Sequence, residues 1–139
     1  MTTTTTTAAP VRGLRAFTPL AGVTSLGIFL QAITAGEFVS QEHRDGWIAV
    51  HDIVADVTIV AALATAIVGL LVVRKVSRLV AWGSVVLFVL LILQTVTGHL
   101  ITGAKQDGWI GVHVPLALLV FGLTIWLSIR AAGLRRVGR

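Results

Sequence analysis

Charge is confined to short stretches of this chain, and between them lie four long apolar runs. Only 12% of the residues are charged and 55% are hydrophobic. About 20 residues at 1.5 Å rise cross a hydrocarbon core of roughly 30 Å, so a run of that length reads as a membrane-spanning helix. The runs cover Phe17–Val39, Gly46–Val73, Leu79–Thr102 and Gly108–Ile129. The loops between them are short, which makes neighbouring helices antiparallel. The expected fold is an all-α membrane protein, a four-transmembrane-helix up-down bundle occupying residues 15–131.

Residues 1–14, with six consecutive threonines, read as an irregular tail, and residues 132–139 as a basic tail. The chain has no cysteine. That excludes disulfides, thiolate-ligated or covalently attached haem, and cysteine-based zinc or iron–sulfur sites. Nine of the eleven basic residues (Arg12, Arg15, Arg74, Lys75, Arg78, Arg130, Arg135, Arg136 and Arg139) flank the spans on one side, leaving Arg44 and Lys105 on the other. By the positive-inside rule both termini are cytoplasmic in a multi-pass protein of the cell membrane. Basic residues gathered at helix ends, without interleaved aromatics, suit lipid rather than nucleic acid.

One heptapeptide occurs twice. Residues 45–51 read Asp-Gly-Trp-Ile-Ala-Val-His and residues 107–113 read Asp-Gly-Trp-Ile-Gly-Val-His. Upstream, Leu30-Gln31-Ala32-Ile33-Thr34 parallels Leu93-Gln94-Thr95-Val96-Thr97. The repeating unit is a helix pair, and both copies start on the basic side, so the repeat is a parallel one about an axis along the membrane normal. Asp45 and Asp107 are expected as N-caps, with Trp47 and Trp109 at the interface.

His51 and His113 close the two signatures. Each lies roughly 9 Å down its helix, by rise per residue. Histidine inside a membrane is costly and is a good metal ligand. In an up-down bundle the second and fourth helices are diagonal, roughly 12–14 Å apart when adjacent axes lie 8–10 Å apart. That gap admits a flat cofactor with an imidazole on each face; a plain interhelical hydrogen bond is the other reading. The helical neighbours of His51 are Ala55, Thr58, Ala62, Thr65 and Gly69, and those of His113 are Leu116, Ala117, Val120 and Thr124.

Other polar residues in the spans extend the candidate list. Gln31 and Gln94 can bond a cofactor edge or a ligand histidine, or each other's helices. Asp52 and Asp56 share a face of the second helix, with Asp56 roughly 16 Å past its start. They are candidates for proton relay or for protonated acids bonded to a neighbour. Glu37 and His99 match across the repeat near the outer ends, as a polar lid or as solvated residues; His99 is also a reserve metal ligand. His43 reads as a solvated loop residue.

Four helices with histidines at the outer ends of the second and fourth resemble one half of a haem A synthase. The chain is also similar to small b-type membrane cytochromes. The resemblance implies a haem b with His51 and His113 as axial pair, and a role in electron transfer or haem handling. A single half without a cysteine pair does not carry over that family's catalysis, and nothing in the sequence builds an enzyme's nucleophile–base arrangement. Partners expected on this reading are membrane lipid, a redox protein or quinone, and a second copy of the chain. Two alternatives remain: a cofactor-free scaffold or partner subunit, and a proton-coupled carrier or quinone site using Asp56, Gln31 and Gln94.

Overall fold

The computed structural model describes residues 9–42 and 44–137, and four helices account for nearly all of them. Residues 1–8 of the expected tail, the loop residue His43, and residues 138–139 lie outside the described set. The helices are α1 (Ala9–Ser40), α2 (Asp45–Leu71), α3 (Arg78–Thr102) and α4 (Ile110–Val137). A 3-10 turn at Val73–Lys75 leads into α3, and another at Asp107–Trp109 leads into α4. All four helices are long and apolar enough to cross a membrane.

Two boundaries differ from the sequence expectation. The first helix begins at Ala9, inside the stretch expected to be irregular. Leu14 and Phe17 are fully buried against the bundle, and packing of this kind stabilises a helix beyond its propensity. Pro10 falls in the first turn, where its missing N–H costs nothing. The fourth helix runs on through Arg135 and Arg136 to Val137; arginine and leucine are good helix formers in water. The aspartates also behave differently from the caps expected of them. Arg44 is the N-cap of α2 and Gln106 that of the Asp107 turn, neither with a side-chain capping bond. Asp45 and Asp107 lie one position further in, where a carboxylate still complements the partial positive charge of the helix start. At the start of α3 there is a side-chain cap: Ser77, in extended conformation, accepts from the Val80 amide at 3.3 Å.

The helices form a four-cornered bundle. Each packs against its two neighbours, α1 on α2 and α4, α3 on α2 and α4. Among the described residues the backbones of α1 and α3, and of α2 and α4, do not approach each other, so these pairs are diagonal. Apolar side chains such as Leu26, Val60, Leu71, Leu118 and Ile129 point outward and are exposed. That is the inverse of a soluble bundle and the pattern that lipid solvates.

Inside, the two repeats are filled differently. Thr24 and Thr65 are fully buried and share a hydrogen bond of 3.3 Å between α1 and α2. The corresponding positions of the second repeat are Leu87 and Leu127, also fully buried. Small residues let the backbones of the first repeat come close. A Cβ at Gly27 would overlap the Thr58 hydroxyl of α2, and one at Gly69 would overlap Ser84 Oγ of α3. Every buried hydroxyl is back-bonded: Thr24 to the Leu20 carbonyl, Thr65 to Ala61, Thr124 to Val120.

Gly69→Val should therefore force α2 from α3 and cost roughly 1–3 kcal/mol, the usual penalty of overpacking. Thermal unfolding in detergent measures it. Ser84→Ala should recover part of the loss in the double variant. Gly22→Ala, where a Cβ meets open space, should leave the midpoint unchanged.

Candidate functional site

Both signature histidines project into the bundle, on the stripes that the sequence places inside. Below His51, Thr58, Ala62, Thr65 and Gly69 are buried; below His113, Val120 and Thr124 are. The imidazoles themselves are half-buried.

Each histidine is held by its own helix pair in the same way. Gln31 on α1 donates from Nε2 to the His51 carbonyl at 2.6 Å. Thr34, one turn further along α1, meets His51 Nδ1 at 2.8 Å. In the second pair, Gln94 on α3 donates to the His113 carbonyl at 3.1 Å, and Thr97 meets His113 Nδ1 at 2.9 Å. Glutamine and threonine stand three residues apart in both copies, hence on one helix face. The one-residue difference between the repeats is absorbed in the outer loop.

This geometry accommodates one tautomer in both copies. A hydroxyl has one hydrogen. The Thr34 hydroxyl lies 3.0 and 3.1 Å from the carbonyls of Leu30 and Gln31, and that of Thr97 lies 2.9 Å from the Gln94 carbonyl. With the hydrogen on a carbonyl, each threonine oxygen can accept from a protonated histidine Nδ1. That arrangement leaves the lone pair on Nε2. A hydrogen bond on one ring nitrogen, fixing the other as a donor of electrons, is how metal-ligating histidines are oriented.

The two cradles are not identical. Gln94 Nε2 also reaches His113 Nε2 at 3.0 Å, so its amide covers the lone pair. Its Oε1 is buried without a partner. Swapping the amide's two ends would set oxygen against the His113 carbonyl, so the orientation is fixed. Gln31 makes no such contact with the His51 ring. Phe38 instead packs edge-on to that ring, centroids 5.3 Å apart at 84°. Gly98 leaves room for His113; a Cβ there would sit 3.3 Å from Cε1.

His51 and His113, on diagonal helices, are the side chains that could hold a cofactor between the two helix pairs. Between Asp45 and Val57 on α2, and between Asp107 and Leu119 on α4, no side chain is buried. Among the described residues, the only side-chain hydrogen bond between repeats joins Ser25 and Ser128. Each cradle is internal to one helix pair, and the pairs can part in the outer half without breaking it.

The remaining candidates lie away from this pair. His99 is exposed and its Nδ1 lies 3.1 Å from the Thr95 carbonyl of its own helix. Among the described residues no three histidines or carboxylates converge as a metal cluster. Glu37 holds the Gln41 amide, and Gln41 in turn accepts from Trp47 Nε1 at 3.2 Å. Trp109 Nε1 is bonded likewise to Gln106 at 3.1 Å, so both indoles anchor outer loops. Asp52 and Asp56 are exposed on the outer face of α2. Thr34 and Thr97 are the functional residues missing from the candidate list. Their signal was present, since both stand in the repeated pentapeptide three residues after the glutamine.

Thr97→Val should leave the Nδ1–H of His113 without an acceptor, costing roughly 1–3 kcal/mol of stability. Nitrogen-15 NMR of histidine-labelled protein in micelles checks the tautomer directly. The wild type should show protonated Nδ1 and bare Nε2 for both rings, and the variant should show mixed tautomers for His113 alone.

No family model, no curated protein and no solved structure matches this chain, and the reading of the site rests on its own residues.

Proposed function

We propose that this protein is a small membrane cytochrome that holds one haem b between His51 and His113, near the end of the bundle opposite its basic residues, for electron transfer. The observation that carries the reading is the duplicated Gln–Thr–His cradle, which holds two histidines alike on diagonal helices. On the positive-inside rule the basic end faces the cytoplasm and the haem site lies near the outer face. A haem with two imidazole ligands supplies reversible one-electron chemistry and keeps no open position for oxygen or substrate.

The chain's own residues do the positioning. Thr34 and Thr97 hold the Nδ1 protons and raise the basicity of the opposite nitrogens. Gln31 and Gln94 tie the histidine carbonyls to the neighbouring helices, and Phe38 packs on the His51 ring. Gln94 must give up His113 Nε2 before that nitrogen can ligate. His51 is therefore the ready ligand and His113 the guarded one.

Purified protein expressed with haem supply should show a Soret band and, after dithionite reduction, sharp α and β bands. His51→Ala and His113→Ala should each abolish stoichiometric six-coordinate haem. Colourless wild type, or full haem retention in both single variants, would sink the assignment.

The guarding role of Gln94 has its own consequence. Gln94→Leu removes the amide from His113 Nε2 and removes the orphaned Oε1 together. Haem affinity in a titration should rise roughly fivefold, the equivalent of one ordinary hydrogen bond. Gln31→Leu should give no such gain. A loss with Gln94→Leu as large as that of His113→Ala would assign Gln94 a direct part in holding the cofactor.

A further inference from the structure

The turn that joins α2 to α3 carries the densest group of cations in the described chain. Arg74, Lys75, Arg78 and Trp82 line one depression of about 470 Å³. The turn is rigid for its length. Val73 at its start is fully buried as a plug in the bundle floor. The amides of Val76 and Ser77 both return to the Val73 carbonyl, at 2.9 and 2.8 Å. The three cations are thus presented from a fixed frame rather than from a loose loop.

Every acidic side chain (Glu37, Glu42, Asp45, Asp52, Asp56 and Asp107) belongs to the loops at the opposite end or the helix halves beside them. Among the described residues none stands opposite these cations, which leaves them open to an anion from outside. The fourth wall of the depression says of what kind. Trp82 lies one turn below Arg78 on the same face of α3, roughly 6 Å deeper, and is 61% exposed. Leu79 is exposed between Arg78 and the indole, and Val86 and Val89 continue an exposed apolar strip down the helix below it. A free phosphate would use the cations and leave the indole and the strip bare. A phospholipid uses both: phosphate on the cations, glycerol against the indole, acyl chain along the strip.

We infer that this depression is a binding site for an anionic phospholipid of the leaflet at the basic end of the bundle, with Arg74, Lys75 and Arg78 on the headgroup phosphate and Trp82 beneath it. The site is independent of the histidine pair and holds whether or not the protein carries a haem. Diffuse attraction between a basic surface and an acidic membrane predicts something different, because it counts charges without regard to place. Arg135 and Arg136 lie near the same end but do not line the depression, so they serve as the control.

Native mass spectrometry of the full chain in detergent, titrated with dioleoyl phosphatidylglycerol or dioleoyl phosphatidylcholine, reads retained lipid directly. The wild type should retain phosphatidylglycerol in preference. Arg74→Gln with Arg78→Gln should weaken that preference roughly twentyfold, since each cation near the surface contributes about fivefold. Arg135→Gln with Arg136→Gln should leave it within about twofold. Trp82→Ala, which keeps every charge, should weaken retention of the anionic lipid as well, and it serves should the double variant not fold. Equal loss in the control pair, no preference in the wild type, or displacement of the lipid by millimolar inorganic phosphate would overturn the site.

Discussion

A polar group inside hydrocarbon has no water to turn to, so it must find its partner within the protein. That constraint accounts for most of what this bundle does with its polar residues. Thr24, Thr65 and Thr124 return their hydroxyl hydrogens to carbonyls one turn back in their own helices. Thr34 and Thr97 do the same, and then have an oxygen left to accept the imidazole proton. The threonines beside the histidines thus follow the same back-bonding pattern as the other buried threonines. Gln94 is the exception. Its Oε1 is buried without a partner, and unsatisfied groups of this kind concentrate where a ligand, a water or a rearrangement completes the structure.

The duplication has been kept where the histidines are held and relaxed where helices merely pack. Glutamine, threonine and histidine recur in register, while the interior below them has diverged from Thr24 and Thr65 to Leu87 and Leu127. Either solution fills a membrane interior, since helices in lipid associate through close contact of small residues or through good packing of large ones. The close packing of the first pair at Gly27 and Thr58, with Leu90 and Val120 at the matching places of the second, gives two differently packed helix pairs around similar cradles.

Much of this was legible in the sequence. Four helices long and apolar enough to cross a membrane, their antiparallel order and the diagonal placement of α2 and α4 follow from the apolar runs and short loops, and the structure has them. The inward stripes below His51 and His113 were readable by helical spacing. Helix ends were less so. Asp45 and Asp107 look like caps by residue type, yet Arg44 and Gln106 take that position, because backbone geometry at a loop end depends on the whole turn and not on one carboxylate. The first helix starts at Ala9 because Leu14 and Phe17 are buried against other helices, a tertiary effect that local composition does not carry. Thr34 and Thr97 were visible as repeated letters, but their role needed the helix-to-helix distance. The exposure of Asp52 and Asp56 likewise depends on which arc of α2 the neighbours cover.

The site's position within the bundle is as informative as its residues. Near the basic end the two helix pairs are locked together: Ser25 meets Ser128 across α1 and α4, and Gly69 admits Ser84 between α2 and α3. Toward the histidines that locking stops, and each imidazole is bound only to its own partner helix. Separating the outer halves would lengthen the distance between His51 and His113 without costing either cradle a hydrogen bond. A bundle joined throughout by cross-repeat bonds would have to break them to admit anything between those rings. Joined at one end and cradled at the other, the two repeats bond each histidine to its own helix pair and not to the opposite pair.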